Sequence, residues 1–331
     1  MNNVTMSAAA TLIAEKKKML IITHAHPDGD TLGSAYGLKK AIEKYCNAQI
    51  ICSDPIPDRL KFLTDGETDL RETRLGDFSP ELIMAIDVAE IKLMGAYGAT
   101  YGGAIDLKID HHPKGAEYGR YNYIDGGAAA AGELIYKLIL ELAEIGAAEL
   151  NPAAATALYA AISSDTGSFR FSNTTAATLR IAAALKDAGA DTETVNHCLY
   201  ECKSANEIVA TKLTLNGMNV YRRGTVVAFC ITNKMKEENG LSDEDFGAVI
   251  DILREIDGVD LAITLKQSQD EPQKFRISMR SRGDIYADRL CAMFDGGGHA
   301  RAAGGAVYAN GPDGAEFAVI QKVLAEIGYD G

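Results

Sequence analysis

In the first half of the chain, short apolar segments of strand length alternate with longer segments of helical spacing. Residues 19–23 are an apolar run that opens into a polar loop at His24, and a helical pattern then continues to about Tyr45. Four further segments share the short apolar or alternating pattern of a strand: residues 48–52, 82–86, 104–109 and 121–124. Helical spacing recurs over residues 128–145, 152–163 and 174–187, the last capped by Ser172, Asn173 and Thr174. This alternation predicts a doubly wound, mostly parallel sheet.

The pattern changes near residue 190. Residues 191–216 are helical in spacing and unusually polar, as is typical of a connector. Strands are then predicted over 217–231, 259–267, 273–280 and 305–309, and helices over 243–256, 284–294 and 314–327. We therefore expect an α/β protein with three parts: an N-terminal doubly wound domain (residues 1–190), a helical connector (191–216) and a smaller C-terminal α+β domain (217–331).

Carboxylates and imidazoles cluster where the predicted strands of the first half end. The strand 104–109 continues into Asp110, His111 and His112, and Pro113 ends it because proline has no N–H to donate. The other groups of this kind are His24, Asp28, Asp30, Asp87 and, in a predicted loop over 164–170, Asp165. Open α/β sheets bind ligands at the carboxyl ends of their strands, so we expect these eight side chains to converge.

Converging carboxylates would repel one another and raise their own pKa values unless cations lay between them. Oxygen and imidazole ligands without a nearby thiolate favour a divalent ion such as manganese over zinc. Two-metal phosphoesterases hold their ions roughly 3.5–4 Å apart, and one carboxylate must bridge such a pair. Asp87, alone after a central strand, is the predicted bridge. Taken singly, however, an aspartate at a strand end is more typical of a helix N-cap or a turn than of a metal ligand.

Composition and charge narrow the possible partners. The 331 residues are 47% hydrophobic, enough for a sizeable core, and carry a formal net charge of −13. This charge argues against broad binding to duplex nucleic acid or to anionic membranes. We also expect no membrane span, since no run of 18 uncharged apolar residues occurs, and no secretory signal. Six scattered cysteines suggest reduced thiols and a cytoplasmic protein.

The second half supplies candidate contacts for an anionic substrate. Arg280, Ser281 and Arg282 follow a predicted strand. Gly296–Gly298 and His299 open a predicted loop whose backbone N–H groups could form an anion nest. Arg170 is a further candidate phosphate contact. The alternatives are a flexible turn for the glycines, a solvated strand end for the arginines and a surface ion pair for Arg170.

In this order along the chain, the motifs resemble the DHH phosphoesterases, and more narrowly their two-domain nanoRNase/pAp-phosphatase branch. They are His-x-x-x-Asp-x-Asp, a strand-end Asp, Asp-His-His, Asp-Thr-Gly-x-Phe-Arg and Gly-Gly-Gly-His. The resemblance implies two Mn²⁺ ions, with Mg²⁺ or Co²⁺ as substitutes. His24, Asp28 and Asp87 would hold the first ion. The second would be held by Asp30, Asp87, His111 and Asp165. This chain departs from the family at His26, often Asn there, and at Asp295, where a further glycine is common.

The resemblance also implies the remaining roles. His112 would face the substrate phosphate, Asp110 would orient the histidines, and the arginine and glycine segments would grip a short nucleotide. A hydroxide bridging the two ions would attack phosphorus. The expected substrates are pAp and short single-stranded RNA, including linear dinucleotides such as pApA and pGpG, bound between the two domains. A homodimer through the first domain is expected from the resemblance alone.

Several alternatives stay open from the sequence. The nearest is a cyclic di-AMP phosphodiesterase. A manganese pyrophosphatase lacks the Gly-Gly-Gly-His segment, and an exonuclease for long single strands would need more chain and a more basic surface. From a different class, a non-catalytic nucleotide sensor is possible, although such a protein would be expected to have lost a metal ligand.

Overall fold

The computed structural model describes residues 2–64, 66–113 and 115–328. The chain forms two compact units, Met1–Cys202 and Lys203–Gly331. The boundary falls inside the segment predicted as a connector, and helices on its two sides pack in different units. The helix Thr192–Asn196 packs against the first unit, and the helix Ala205–Gly217 packs against the second. The three-part division with a separate connector stays a prediction.

A six-stranded, all-parallel sheet organises the first unit. Its spatial order is β1-β6-β5-β4-β2-β3. The strands are β1 (Asn2–Asn3), β2 (Lys18–Ile22), β3 (Asn47–Ile51), β4 (Leu82–Ile86), β5 (Leu107–Asp110) and β6 (Tyr121–Ile124). Met19–Ile22 of β2 are fully buried on both faces, as is usual for a parallel sheet covered by helices on both sides.

Seven α-helices accompany this sheet in the described part of the first unit. They are α1 (Met6–Ala14), α2 (Gly29–Ile42), α3 (Gly98–Tyr101), α4 (Ala131–Glu144), α5 (Pro152–Asp165), α6 (Ala176–Asp187) and α7 (Thr192–Asn196). Short 3-10 helices lie at Asp58–Leu63, Glu72–Leu75 and Ile91–Tyr97, and a π-helical turn at His197–Glu201 follows α7.

Three glycines allow α2 and α5 to pack unusually closely. Gly29, Gly33 and Gly37 are spaced four residues apart on α2, so they share one face. A Cβ at Gly33 would lie 2.5 Å from the Ala157 carbonyl oxygen, and one at Gly29 would lie 2.6 Å from Ser164. The absence of side chains at these positions lets the two helices approach, and that contact fixes where α5 ends relative to the start of α2.

The second unit contains a separate mixed sheet with the spatial order β11-β12-β10-β9-β8-β7. Only β8 and β9 are parallel; the other neighbours are antiparallel. The strands are β7 (Asn219–Tyr221), β8 (Val226–Ile231), β9 (Leu261–Gln267), β10 (Lys274–Ser281), β11 (Gly297–His299) and β12 (Ala302–Tyr308). The helices are α8 (Ala205–Gly217), α9 (Asn233–Asn239), α10 (Val249–Glu255), α11 (Ala287–Ala292) and α12 (Pro312–Glu326).

The predicted fold class, a mostly parallel α/β sheet followed by a smaller α+β unit, is confirmed, but several element boundaries were wrong. The strand predicted over 217–231 is two antiparallel strands, separated by a turn in which Arg223 has a φ of +55°. The segment predicted as a glycine loop contains the edge strand β11. Helix α6 begins after Thr175, whose side chain forms a capping box with Thr178, so the cap lies later than predicted.

No helix in the described part of the chain is both long enough and apolar enough to cross a membrane. All six cysteines are free thiols. Cys46, Cys52 and Cys291 are buried, whereas Cys202 is exposed.

Candidate metal centre

The ends of three adjacent strands bring most of the predicted ligands together. His24 lies two residues beyond β2, Asp87 directly follows β4, and His111 directly follows β5. These strands are neighbours in the order β5-β4-β2, and their parallel register places their carboxyl ends at one edge of the sheet. The sheet thus brings His24, Asp87 and His111 to one edge, where the sequence predicted that polar groups would meet.

Asp87 lies in the left-handed backbone region, with a φ of +57°. Such a conformation costs on the order of 1 kcal/mol or more for a residue other than glycine. The backbone N–H of Asp87 donates to the carbonyl of Ile109, which holds the turn against β5. The side chain is 3% exposed and is directed into the group of ligands.

The first group of three side chains surrounds His24. Its Nε2 lies 3.6 Å from Asp28 Oδ1 and 3.6 Å from Asp87 Oδ2. Its Nδ1 lies 2.7 Å from the carbonyl of Ala25, which can only accept, so Nδ1 carries the proton. Nε2 is therefore the ring nitrogen available to a metal.

The second group surrounds His111. Its Nε2 lies 3.3 Å from Asp165 Oδ2, 3.6 Å from Asp87 Oδ1 and 3.7 Å from Asp30 Oδ2. Its Nδ1 faces the carbonyl of Ala128 at 3.3 Å. The two oxygens of Asp87 thus point to two different histidines, which is the arrangement that a bridging carboxylate requires.

Asp28 and Asp30 both belong to the start of α2, but their environments differ. Asp28 is the N-cap, and its Oδ1 accepts from the backbone N–H groups of Asp30 and Thr31. The alternative interpretation of Asp28 as a helix cap is therefore correct, and the same oxygen also faces His24. Asp30 is fully buried, and it accepts from Ser34 Oγ and from the N–H groups of Ala131 and Gly132 at the start of α4.

Asp165 reaches the centre by a route that the strand pattern did not indicate. It was predicted in a loop, but it is the last residue of helix α5. The close packing of α5 on the glycine face of α2 brings this helix end to the start of α2. The Gly-x-x-x-Gly-x-x-x-Gly spacing of residues 29–37 was the sequence signal that could have predicted this contact.

His112 and Asp110 form a pair beside these ligands. Asp110 Oδ1 lies 2.8 Å from His112 Nδ1, and the backbone N–H of His112 also donates to it. Burial raises the pKa of Asp110, but the hydrogen bond with His112 and the charge of Lys108 lower it to about 2. The ionised carboxylate accepts from Nδ1, so Nδ1 is protonated even though it lies 3.6 Å from Asp87. Asp110 thus holds the Nδ1 edge of the His112 ring.

The electrostatics of this centre call for positive charge. Burial and the charges of neighbouring aspartates raise the pKa values of Asp30 and Asp165 well above their usual range, and burial also raises that of Asp87. Burial lowers the pKa of His24, but the carboxylates of Asp28 and Asp87 raise it to about 11. A proton on His24 is thus strongly favoured where no cation is present.

The residues fit divalent cations. Asp87 Oδ1 is buried and, among the described residues, has no hydrogen-bond partner, a costly state that a cation would relieve. Three groups of three side chains have potential ligand atoms within 4.8 Å of one another. They are His24, Asp28 and Asp87; Asp30, His111 and Asp165; and Asp87, His111 and His112. All six predicted metal ligands belong to these groups.

The predicted substrate residues of the second unit meet at one corner of its sheet. Arg280 pairs with Ala302 across β10 and β12, and the Ser281 N–H donates to the Arg301 carbonyl. Gly297, Gly298 and His299 are exposed on the edge strand β11, and Gly298 has a φ of +146°, which favours glycine. A Cβ at Gly296 would lie 2.0 Å from the Gly304 carbonyl oxygen. Glycine at position 296 is therefore required by close backbone packing as well.

The side chains at this corner differ in their accessibility. Arg282 is exposed, whereas Arg280 is half-buried and lies 3.7 Å from Asp251. Ser281 is 3% exposed, and its hydroxyl is buried without a hydrogen-bond partner in the described structure. Arg282 is thus better placed than Ser281 to meet a ligand from solvent.

Two remaining candidates lie in the first unit. Arg170 is exposed, and its Nε donates to the carbonyl of Gly167 in its own loop. His26 is 89% exposed and has a φ of +54°. Its Nδ1 lies 2.7 Å from Asp54, so the position that departs from the family pattern holds an imidazole fixed by a carboxylate.

Comparisons with known proteins agree with this description. The DHH family, N-terminal domain, matches residues 18–162, and the DHHA1 domain matches residues 224–327. The chain is 30% identical to the bifunctional oligoribonuclease and PAP phosphatase NrnA of Bacillus subtilis, over 87% of this chain and 89% of that protein. It is 28% identical to the protein of the same name from Thermus thermophilus, over 96% and 93% of the two chains.

Among solved structures, an exopolyphosphatase-related protein from Bacteroides fragilis has the same fold. The two structures superpose with a TM-score of 0.87 at 22% sequence identity, and the superposition includes 97% of this chain and 95% of the Bacteroides fragilis chain. At that identity, the likeness is evidence for the fold alone.

Proposed function

Since the chain belongs to the DHH phosphoesterase family, in its NrnA-like branch, we propose that it hydrolyses short oligoribonucleotides and pAp to mononucleotides. It is a phosphoric ester hydrolase, as its relatives are by name. The observation that carries the proposal is Asp87, whose two oxygens face His24 and His111 at 3.6 Å each. A bridging carboxylate between two complete groups of ligands is what a catalytic pair of metal ions needs and what a nucleotide sensor does not.

We propose two Mn²⁺ ions as the cofactors. One ion would be held by His24 and Asp28. The other ion would be held by Asp30, His111 and Asp165, and Asp87 would bind both ions. Bound there, such ions supply Lewis acidity, which polarises the phosphoryl group and lowers the pKa of water to roughly 7. Oxygen and imidazole ligands support manganese, because no thiolate belongs to any of the three described groups.

The protein's own residues would position the substrate and stabilise charge. The hydrogen bond with Asp110 raises the pKa of His112, and the imidazolium, held at Nδ1 by Asp110, would donate from Nε2 to a phosphoryl oxygen or to the leaving hydroxyl. Exposed Arg282 and the backbone of β11 would bind the phosphate and sugar of a short nucleotide. The formal charge of −13 disfavours long polyanions and supports a substrate of only a few nucleotides.

The test is a substrate panel with and without added Mn²⁺: pAp, pApA, pGpG, cyclic di-AMP, an RNA of about 24 nucleotides and pyrophosphate, with products separated by chromatography. We expect Mn²⁺-dependent release of mononucleotides from pApA and pGpG and of AMP from pAp, with little attack on the long RNA. Turnover of pyrophosphate alone, or tight nucleotide binding without turnover or bound metal, would contradict the proposal. Light scattering on the same sample tests the homodimer that we propose.

A further inference from the structure

Lys108 is a lysine with no solvent exposure in the middle of strand β5. Its Nζ donates to the carbonyls of Ala89 at 3.0 Å and Ala116 at 2.7 Å. It also forms an ion pair with Asp110 Oδ2 at 3.0 Å. Burying a lysine is costly unless such partners compensate for its lost hydration, so a lysine retained here calls for an explanation.

The partners of Lys108 come from three segments beside the metal centre: the turn after β4, the end of β5, where Asp110 lies, and the segment that follows the Asp-His-His triplet. Ala89 lies two residues after the proposed bridging ligand Asp87, and Ala116 lies in the segment that follows the Asp-His-His triplet. The ring of Tyr118 lies 4.7 Å below the ammonium, and its hydroxyl donates to the Val88 carbonyl. A single buried cation thus ties the turn after β4 to the end of β5.

A short chain of contacts leads from Lys108 to His112. Lys108 contacts one oxygen of Asp110, and the other oxygen accepts from His112 Nδ1 at 2.8 Å. The carboxylate is fully buried, so it keeps its orientation and its role as acceptor only if a positive partner stays beside it. Gly115 packs closely against the Lys108–Asp110 ion pair. A Cβ at this position would lie 2.7 Å from Asp110 Oδ2 and 3.1 Å from Lys108 Nζ, so a larger residue would not fit without a shift.

We propose that Lys108 is a positioning residue for the hydrolysis: through Asp110 it holds Nδ1 of the His112 ring in place, and so directs Nε2 toward the substrate. The inference rests on the proposed function and extends it by one residue. Lys108 itself would make no contact with the substrate. Its removal should lower kcat while leaving KM and the bound metal unchanged.

The test compares Lys108→Met with Lys236→Met. Lys236 is the matched control, since it is 3% exposed and ion-paired with Asp243 at 2.6 Å, in the second unit. We expect Lys108→Met to lower kcat for pAp about 10- to 100-fold, the usual effect of removing such a supporting partner, with unchanged KM and metal content. Lys236→Met should leave kcat within about twofold. Equal kcat values for the two variants would overturn the proposal.

A second readout does not depend on turnover. In histidine-labelled protein with Mg²⁺, long-range ¹H–¹⁵N spectra should show His112 protonated at Nδ1 in the wild type, assigned through His112→Asn. Lys108→Met should shift the ring toward the Nε2–H form, and an unchanged spectrum would overturn the proposal. If the wild type hydrolyses none of the substrates, the proposed function fails, but this spectrum still tests the link to His112.

Gly115→Ala provides a variant that keeps the lysine, in case Lys108→Met does not fold. The added methyl would displace the Lys108–Asp110 pair, so we expect the same loss of kcat and the same spectral shift. Gly103→Ala is its control, because a Cβ at Gly103 meets nothing within 4 Å. Wild-type kcat and spectrum in Gly115→Ala would contradict the positioning role.

Discussion

Asp87 combines three properties that each cost free energy in the metal-free protein. It is nearly fully buried, it has a left-handed backbone conformation, and its Oδ1 has no hydrogen-bond partner among the described residues. Neighbouring carboxylates add repulsion, and burial raises its pKa. A bound cation would offset the buried charge and satisfy the unpaired oxygen, which supports the proposed role of Asp87 as a metal ligand.

Asp87→Asn should separate stability from metal binding. Asparagine tolerates the left-handed region and removes the charge, so we expect the metal-free variant to melt about 2–4 °C higher for each kcal/mol of repulsion removed. The Mn²⁺-induced rise in Tm should largely disappear, and activity should fall by more than about 100-fold. Thermal unfolding in EDTA and in Mn²⁺ measures both effects.

The control for this substitution is Asp270→Asn at an exposed position, which should change neither Tm nor its response to Mn²⁺. A wild-type response to Mn²⁺ in Asp87→Asn would show that the carboxylate does not bind metal.

The packing of helix α5 on helix α2 positions one proposed metal ligand that no strand end positions. The strand ends explain His24, Asp87 and His111, but Asp165 depends on the contact between α2 and α5. That contact needs glycine at three positions of α2, where even a methyl group would overlap the backbone or side chains of α5. The position of a proposed metal ligand is therefore set by a helix interface.

Gly33→Ala tests this interface without touching a proposed ligand. Its Cβ would lie 2.5 Å from the Ala157 carbonyl oxygen and 2.9 Å from Ala161, so the helices must separate. We expect a loss of about 1–3 kcal/mol in the free energy of unfolding, together with weaker Mn²⁺ binding as Asp165 moves. Chemical denaturation and calorimetric metal titration measure the two effects. Gly103→Ala should lie within about 0.5 kcal/mol of the wild type; if Gly33→Ala does so too, the interface is not tight.

Across the whole chain, the two kinds of chemistry belong to different units. All six proposed metal ligands lie in Met1–Cys202, whereas most of the proposed phosphate contacts lie in Lys203–Gly331. We therefore expect the full reaction to require both units and metal binding to require only the first.

Hydrogen exchange of the full chain tests this division. We expect Mn²⁺ to protect the segments around residues 24–34, 86–89, 109–113 and 162–166, because the ions would bind groups only there. Protection of residues 280–282 and 296–302 should appear only when pAp is also added, to a variant such as His112→Asn that keeps all six proposed metal ligands, or to the wild type with a non-hydrolysable analogue. Protection of the second unit by Mn²⁺ alone would contradict the assignment.

The sequence alone determined the fold class and the metal-ligand candidates, because period-two and helical patterns report burial directly and strand ends concentrate polar groups. It could not determine that Asp165 ends a helix, that 217–231 divides into a hairpin, or that the glycine segment carries an edge strand. Those outcomes depend on which surfaces pack together. Only the tertiary structure showed that Lys108 is buried and ion-paired with Asp110. From the sequence, a lysine at a polar position of an alternating strand is expected to face solvent.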